Sequence, residues 1–171
     1  MSLFLHLAQT RFNFPHWKYE DITDYDLTVS LGVEADVLRP ITLLVLDEPH
    51  RLGLEPLVGA VETLTRFSRL APLMFVTARR DCGPIYSWIL QTLRMVDPFT
   101  VHLETTGSPE KKPLVLRELG LRFFVEDRLE TCFLLADSGI TPIVFDQPWN
   151  RKAHPFQRVR NWEELNELLE V

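Results

Sequence analysis

The sequence predicts an α/β fold, in which a parallel sheet is flanked by helices and a small helical cap-like region precedes the sheet. Short apolar runs alternate regularly with helix-like segments through the second half of the 171 residues. Such alternation is typical of parallel strands that right-handed crossovers connect. Residues 1–55 lack this alternation. We therefore predict a helical cap-like region over residues 1–55 and one α/β core over residues 56–171.

Each element of the core has its own local pattern. Pro72 to Thr77 is an apolar run that stops at a polar residue, which favours a strand. Pro84 to Met95 favours a helix, because proline suits a first turn and apolar residues recur at helical spacing. The same reasoning predicts strands over Phe99–Leu103, Leu121–Val125 and Pro142–Phe145, and helices over Lys112–Leu119, Leu129–Ser138 and Trp162–Leu169.

Together these elements predict a doubly wound, Rossmann-like half sheet. Ligands of such sheets bind beyond the carboxyl ends of the strands. The polar residues that follow the predicted strands are therefore expected to face one crevice: Thr77, Glu126, Asp127 and Asp146.

The first half of the chain is less regular. Leu3 to Phe12 favours an amphipathic helix, and the aromatic and acidic stretch after it has no strand periodicity. Residues 33–47 are ambiguous, because Glu34 to Arg39 favours a helix whereas ITLLVLD at 41–47 suits a buried strand. Periodicity alone does not separate these alternatives in so short a run.

Composition excludes some classes of partner. The formal charge of −6, from 24 acidic and 18 basic residues, gives no general attraction to nucleic acids or anionic membranes. Cys82 and Cys132 are too few for a disulfide framework, and no uncharged apolar run approaches the roughly 18 residues that span a bilayer. We therefore expect a cytoplasmic protein with no nucleic-acid or membrane partner, in which local groups hold any phosphate ligand.

Three features stand in order along the core: VTAR at the end of the first strand, Lys112, and a strand followed by Glu126 and Asp127. This order is similar to motifs II, III and IV of the haloacid dehalogenase (HAD) superfamily. EPLVGAVETL, the fourteen-residue step from Lys112 to Glu126, FDQPWNR and YEDITDYDLT resemble its bacterial 5'-nucleotidase and 5'(3')-deoxyribonucleotidase-like branch.

The resemblance implies a Mg2+-dependent phosphatase that acts on a small phosphorylated molecule such as a nucleotide. A phosphoryl group in transfer has negative charge on its equatorial oxygens, which preorganised donors and cations stabilise. By resemblance, the Thr77 hydroxyl and the nearby backbone of Ala78 and Arg79 would bind a phosphate oxygen, and Lys112 would balance the charge of phosphate and nucleophile. Asp127, with Glu126 beside it, would hold Mg2+.

Each of these residues also has an ordinary structural interpretation. A lysine at the start of a helix is usually exposed, and Lys111 competes with Lys112 for the proposed role. Glu126 and Asp127 could instead cap the helix that follows them and interact with its dipole. Arg79 and Arg128 could form surface ion pairs of little energetic value.

The nucleophile is the open question. The superfamily's first motif is an apolar strand followed by Asp-x-Asp-x-Thr or Val, whose first aspartate attacks phosphorus. Asp24 to Thr28 matches the letters but follows polar and aromatic residues, and Asp47 lacks a partner acid because Pro49 stands two residues on. We expect instead that the chain starts after the position of this motif, with Ser2 to His6 in the helix that normally follows it.

Two classes of function are therefore compared. The first is the phosphatase, and the second is a catalytically inactive HAD-like binding or regulatory module. In the second class an aromatic segment would contact a partner: Phe12, Phe14, Trp17, Tyr19 and Tyr25. Loss of a central strand would also leave exposed sheet edges, which a second copy of the chain could cover in a homo-oligomer.

Overall fold

A computed structural model describes residues 1–169 of the chain, which fold as two units. Unit 1 comprises Met1–Glu55 together with a return segment, Gln147–Lys152. Unit 2 comprises Pro56–Asp146 and the chain from Ala153 onward. The sequence did not indicate the return segment, because its place in unit 1 depends on contacts with residues far away in the chain, such as Arg151 with Glu20.

Unit 1 consists of helices α1 (Ser2–Phe12), α2 (Leu27–Leu31) and α3 (Ala35–Asp47). The ambiguous run at residues 41–47 is therefore helical. Leu38 and Ile41 of α3 are buried with Leu3, Phe4, Leu7 and Ala8 of α1. This packing decides the conformation, because residues three apart on a helix share one face.

Unit 2 confirms the α/β prediction: its strands are parallel and helices flank them. The strands are β1 (Leu73–Thr77), β2 (Val101–Thr105), β3 (Phe123–Glu126), β4 (Thr141–Phe145) and β5 (Gln157–Val159). The helices are α4 (Ala60–Phe67), α5 (Gly83–Thr92), α6 (Lys112–Glu118), α7 (Leu129–Asp137) and α8 (Trp162–Leu169).

The strands of residues 1–169 form two sheets rather than one. β1 pairs with β2, and β3, β4 and β5 form a separate sheet in that order. β5 was not predicted, because its three residues include the charged Arg158 and are too few to show alternation. The predicted single sheet is thus divided between β1 and β3.

Local signals placed the remaining boundaries closely. Gly120 (φ 69°) and Gly139 (φ 78°) follow the ends of α6 and α7 in the left-handed conformation that favours glycine. At the start of α8, the Asn161 side chain accepts from the Glu164 N–H at 2.9 Å, as a helix cap does. The Glu164 carboxylate accepts in turn from the Arg160 N–H at 2.8 Å, one residue before Asn161.

No helix within residues 1–169 combines the length and the apolar character that crossing a membrane requires.

Candidate functional site

A buried ion pair lies at the carboxyl end of β3. Lys112 is the first residue of α6, and its Nζ lies 2.5 Å from Oε2 of Glu126, the last residue of β3. The two side chains are 12% and 5% exposed. The Phe124 ring lies 5.4 Å from the same ammonium and shields it on one side. Pro113 and Leu116 of α6 are buried, which fixes the start of the helix and therefore Lys112.

Glu126 positions the groups around it. Its Oε1 accepts the backbone N–H groups of Asp127 (3.0 Å) and Arg128 (3.2 Å), while Oε2 accepts from Lys112. Both carboxylate oxygens are thus engaged within the protein. The sequence suggested Glu126 as a metal ligand beside Asp127. In the structure, the Glu126 carboxylate binds the Lys112 ammonium and the backbone of the turn into α7.

Asp127 lies in an environment that disfavours its own charge. The pKa of this carboxyl is raised to about 7, mainly by burial. The negative charge of Glu126 and the hydrogen bond to Glu126 also raise this pKa, whereas the positive charge of Lys112 lowers it. A carboxylate destabilised in this way gains most when a cation approaches it. Asp127 is therefore the group of this cluster best suited to bind a positive ion.

Cys132 of α7 is buried close enough to the two carboxylates to be affected by their charges. Burial, and then the charges of Glu126 and Asp127, raise the pKa of its thiol to about 12. The thiol is therefore neutral and acts as packing in a buried cluster with Leu129 and Val144. Nothing in the sequence indicated this position, because Cys132 belongs to no recognisable motif.

The Thr77, Ala78 and Arg79 group lies at the carboxyl end of β1. All three residues are half-buried, and the Thr77 Oγ1 accepts from the Arg79 N–H at 3.3 Å. The Thr77 carbonyl accepts from the N–H of the buried Thr106 at 2.8 Å. Thr106, which the sequence did not single out, follows β2 and its hydroxyl donates to the Ser108 carbonyl at 2.6 Å.

The carboxyl ends of β1 and β2 share one edge of their sheet. β1 and β2 are parallel, with Thr77 opposite Thr105. Lys112 lies seven residues after Thr105, the last residue of β2, and contacts Glu126, the last residue of β3. The structure thus brings Lys112, Glu126 and Asp127 together, and α6, which begins at Lys112, packs against β1, the strand that ends at Thr77.

Asp146, at the end of β4, belongs to a different set of contacts. Its carboxylate lies 2.7 Å from Arg158 Nη1 of β5. Arg158 also contacts the His154 ring, at 2.7 Å from Nη2 to Nε2. Burial and the Arg158 charge lower the pKa of His154, so the imidazole is a neutral acceptor of this guanidinium.

The nucleophile candidates all lie in unit 1. Asp47 is the last residue of helix α3, not the end of a strand. Asp26 caps α2, accepting from the Thr28 N–H at 2.9 Å. Asp24 accepts from the Asp26 N–H and forms an ion pair with Lys152 at 3.3 Å. The Asp24 to Thr28 string is therefore the start of a short helix.

The cluster can be tested for its fit to Mg2+. Among residues 1–169 no three or more His, Cys, Asp or Glu side chains group as a ready-made metal site. Mg2+, however, is commonly bound by one or two carboxylates, with waters and substrate phosphates as its other ligands. A single buried carboxyl whose pKa lies well above its usual range fits that mode.

Comparison with known proteins shows a distant similarity to a protein named as a nucleotidase. No protein-family model matches the chain. A protein of Halalkalibacterium halodurans named "Putative nucleotidase BH1399" is 27% identical over 154 residues, which cover 85% of this chain and 74% of the relative. The chain is thus an α/β protein with a buried lysine and carboxylate cluster at the carboxyl edge of its parallel strands, distantly similar to a nucleotidase-like protein.

Proposed function

We propose that the chain is a HAD-like phosphatase of the nucleotidase type, whose Lys112, Glu126 and Asp127 cluster binds a phosphate group together with Mg2+. The observation that supports this best is the cluster itself. A buried ammonium is held at 2.5 Å by one carboxylate, next to a second carboxyl whose pKa burial raises. The similarity to a protein named as a nucleotidase points in the same direction.

Each group would contribute a separate part of the binding. Asp127 would hold Mg2+, which supplies positive charge to the phosphate oxygens when bound. Lys112, fixed by Glu126, would donate to a phosphate oxygen without having to be ordered at the moment of binding. The Thr77 hydroxyl and the backbone N–H groups of Ala78 and Arg79 would donate from the end of β1. The ligand is a phosphomonoester, with nucleoside monophosphates as the first compounds to test.

One specific observation favours a second candidate, a catalytically inactive binding module of the same fold. Hydrolysis through a covalent intermediate needs a carboxylate that attacks phosphorus. Asp24 and Asp26 are engaged in an ion pair and a helix cap, and Asp47 ends a helix. Within residues 1–169 none of these three follows a strand, where the other proposed groups lie.

Two measurements separate the candidates. Hydrolysis of p-nitrophenyl phosphate and of nucleoside monophosphates is followed with and without Mg2+, and Mg2+ binding is measured by calorimetry for the wild type and Asp127→Asn. Mg2+-stimulated turnover that Asp127→Asn abolishes supports the phosphatase. Mg2+ binding at Asp127 without turnover supports the inactive module, and absence of both contradicts the proposed site.

A further inference from the structure

The return segment, Gln147–Lys152, leaves unit 2 after Asp146, and the chain re-enters unit 2 at Ala153. Arg158 of β5 contacts the chain on both sides of this excursion. Its Nη1 lies 2.7 Å from the Asp146 carboxylate, and its Nη2 lies 2.7 Å from Nε2 of His154. One guanidinium therefore joins the two points between which the return segment runs.

The two halves of the return segment are held differently. Trp149 and Asn150 are 8% and 0% exposed, so burial fixes the first half. Arg151 and Lys152 are exposed and form ion pairs at 2.8 Å and 3.3 Å. Ion pairs between such exposed side chains contribute at most about 1 kcal/mol each. The second half is thus the more easily displaced part, and His154 is the next anchored residue after it.

Both nitrogens of the His154 ring face hydrogen-bond donors. Nδ1 lies 3.2 Å from the backbone N of Phe156, and Nε2 lies 2.7 Å from Nη2 and 3.2 Å from Nε of Arg158. A neutral imidazole accepts at one nitrogen, and a protonated imidazole accepts at neither. Within residues 1–169 neither ring nitrogen contacts an acceptor that a second ring proton could bind. Protonation of this ring is therefore incompatible with its contact to Arg158.

The groups around the ring also act against its protonation. Burial, and then the Arg158 charge, lower the pKa of His154. The Phe156 ring stacks on the imidazole with centroids 5.7 Å apart, and Phe133 of α7 contacts Phe156 at 4.8 Å. The negative charge of Asp146, from β4, is paired with Arg158. The neutral ring is thus the form that fits these surroundings.

We propose that His154 is a pH-sensitive latch for the return segment, whose neutral ring binds Arg158 and whose protonated ring leaves it and loosens residues 151–154. A protonated ring would place two positive groups 2.7 Å apart. The ring is half-exposed, so it can turn into solvent and relieve this repulsion. Arg158 then retains Asp146, and the excursion stays anchored at its beginning while it loses the contact at its end. The phosphate site is not involved, so the latch is independent of the proposed function.

An NMR titration of the full chain from pH 8 to pH 5 tests the latch without any substitution. We expect the His154 ring to titrate with a midpoint below its ordinary value of about 6.5. The backbone amides of Arg151 and Lys152 should change with the same midpoint, and their heteronuclear NOE values should fall in acid. His154→Gln keeps a neutral acceptor for Arg158 and should abolish these changes. His102→Gln, at an exposed position on β2, is the matched control and should preserve them.

Limited proteolysis gives a second measurement at a single pH. Trypsin cleaves after Arg151 and Lys152, which both lie in the half expected to loosen. His154→Lys places a permanent positive charge beside Arg158 and adds no site for trypsin, because Pro155 follows it. At pH 8 this variant should be cleaved after residues 151 and 152 at least about tenfold faster than His154→Gln, since cleavage follows the population of the open form. Circular dichroism establishes that both variants are folded.

Three outcomes would overturn the proposal. A His154 midpoint at or above about 6.5 shows that the ring is not held against donors. Amides of Arg151 and Lys152 that stay unchanged while the ring titrates show that the segment does not depend on it. Equal cleavage of folded His154→Lys and His154→Gln excludes release by a charge on this side chain. If His154→Lys does not fold, the titration of the wild type decides alone.

Discussion

Replacement of Lys112 by methionine removes the charge from the buried ion pair while keeping the length of the side chain. Lys112 and Glu126 are 12% and 5% exposed, so water screens the pair little. Removing one partner of a buried pair leaves the other charge uncompensated, at a typical cost of about 3–5 kcal/mol. Two backbone N–H groups still bind Glu126, so we expect the lower end, about 3 kcal/mol.

The assay is urea unfolding at pH 7.5, followed by circular dichroism. We expect the free energy of unfolding of Lys112→Met to lie about 3 kcal/mol below that of the wild type.

Lys111→Met is the matched control, because Lys111 is the exposed neighbour of Lys112. Its free energy of unfolding should stay within about 0.5 kcal/mol of the wild type. In the double variant Lys112→Met with Glu126→Gln, part of the loss should be recovered, because the uncompensated charge is gone. The reasoning is refuted if Lys112→Met and Lys111→Met are equally stable at pH 7.5.

Four further predictions follow from other contacts. The pKa of Asp127 is about 7 in the folded protein and about 3.9 in the unfolded chain. Between these pH values the folded protein binds more protons than the unfolded chain. The free energy of unfolding of the wild type should therefore fall as pH rises from 4 to 7. Asp127→Asn should lack this fall in urea unfolding at several pH values, and an identical fall in the variant would contradict the assignment. Asp26→Ala should lower the free energy of unfolding by about 1 kcal/mol, because the α2 cap is lost. Asp47→Asn should leave Mg2+ binding, measured by calorimetry, unchanged. A thiol reagent should modify the half-buried Cys82 in the native protein and reach the buried Cys132 only after unfolding; equal rates would refute the burial argument.

Much of the fold could be predicted from sequence because its elements are locally encoded. The β1 run ends at Thr77 as predicted, and Gly120 and Gly139 directly follow the predicted ends of two helices, Leu119 and Ser138. The division of the sheet and the return segment Gln147–Lys152 could not be predicted in this way. Both depend on contacts between residues far apart in the chain, such as Arg151 with Glu20 at 2.8 Å.

The site shows the same limit. Sequence order singled out Lys112 and Asp127 but left Lys111 as an alternative, and only the three-dimensional contact with Glu126 separates the two lysines. The hydrogen bonds of the two Glu126 oxygens could be found only in the structure, because the sequence does not show which groups donate to a carboxylate. The proximity of Cys132 to the two carboxylates could not be predicted from any local pattern, because it comes from the packing of α7 against β3 and β4.

Calorimetric titration of inorganic phosphate into the full chain, with and without Mg2+, tests the phosphate site most directly. Circular dichroism first establishes that the wild type, Lys111→Met and Lys112→Met are folded at the temperature used. We predict phosphate binding that requires Mg2+, is retained in Lys111→Met and is at least about tenfold weaker in Lys112→Met. Binding of equal strength in the two lysine variants, or no binding to the folded wild type in the presence of Mg2+, would contradict the assignment of this cluster to phosphate.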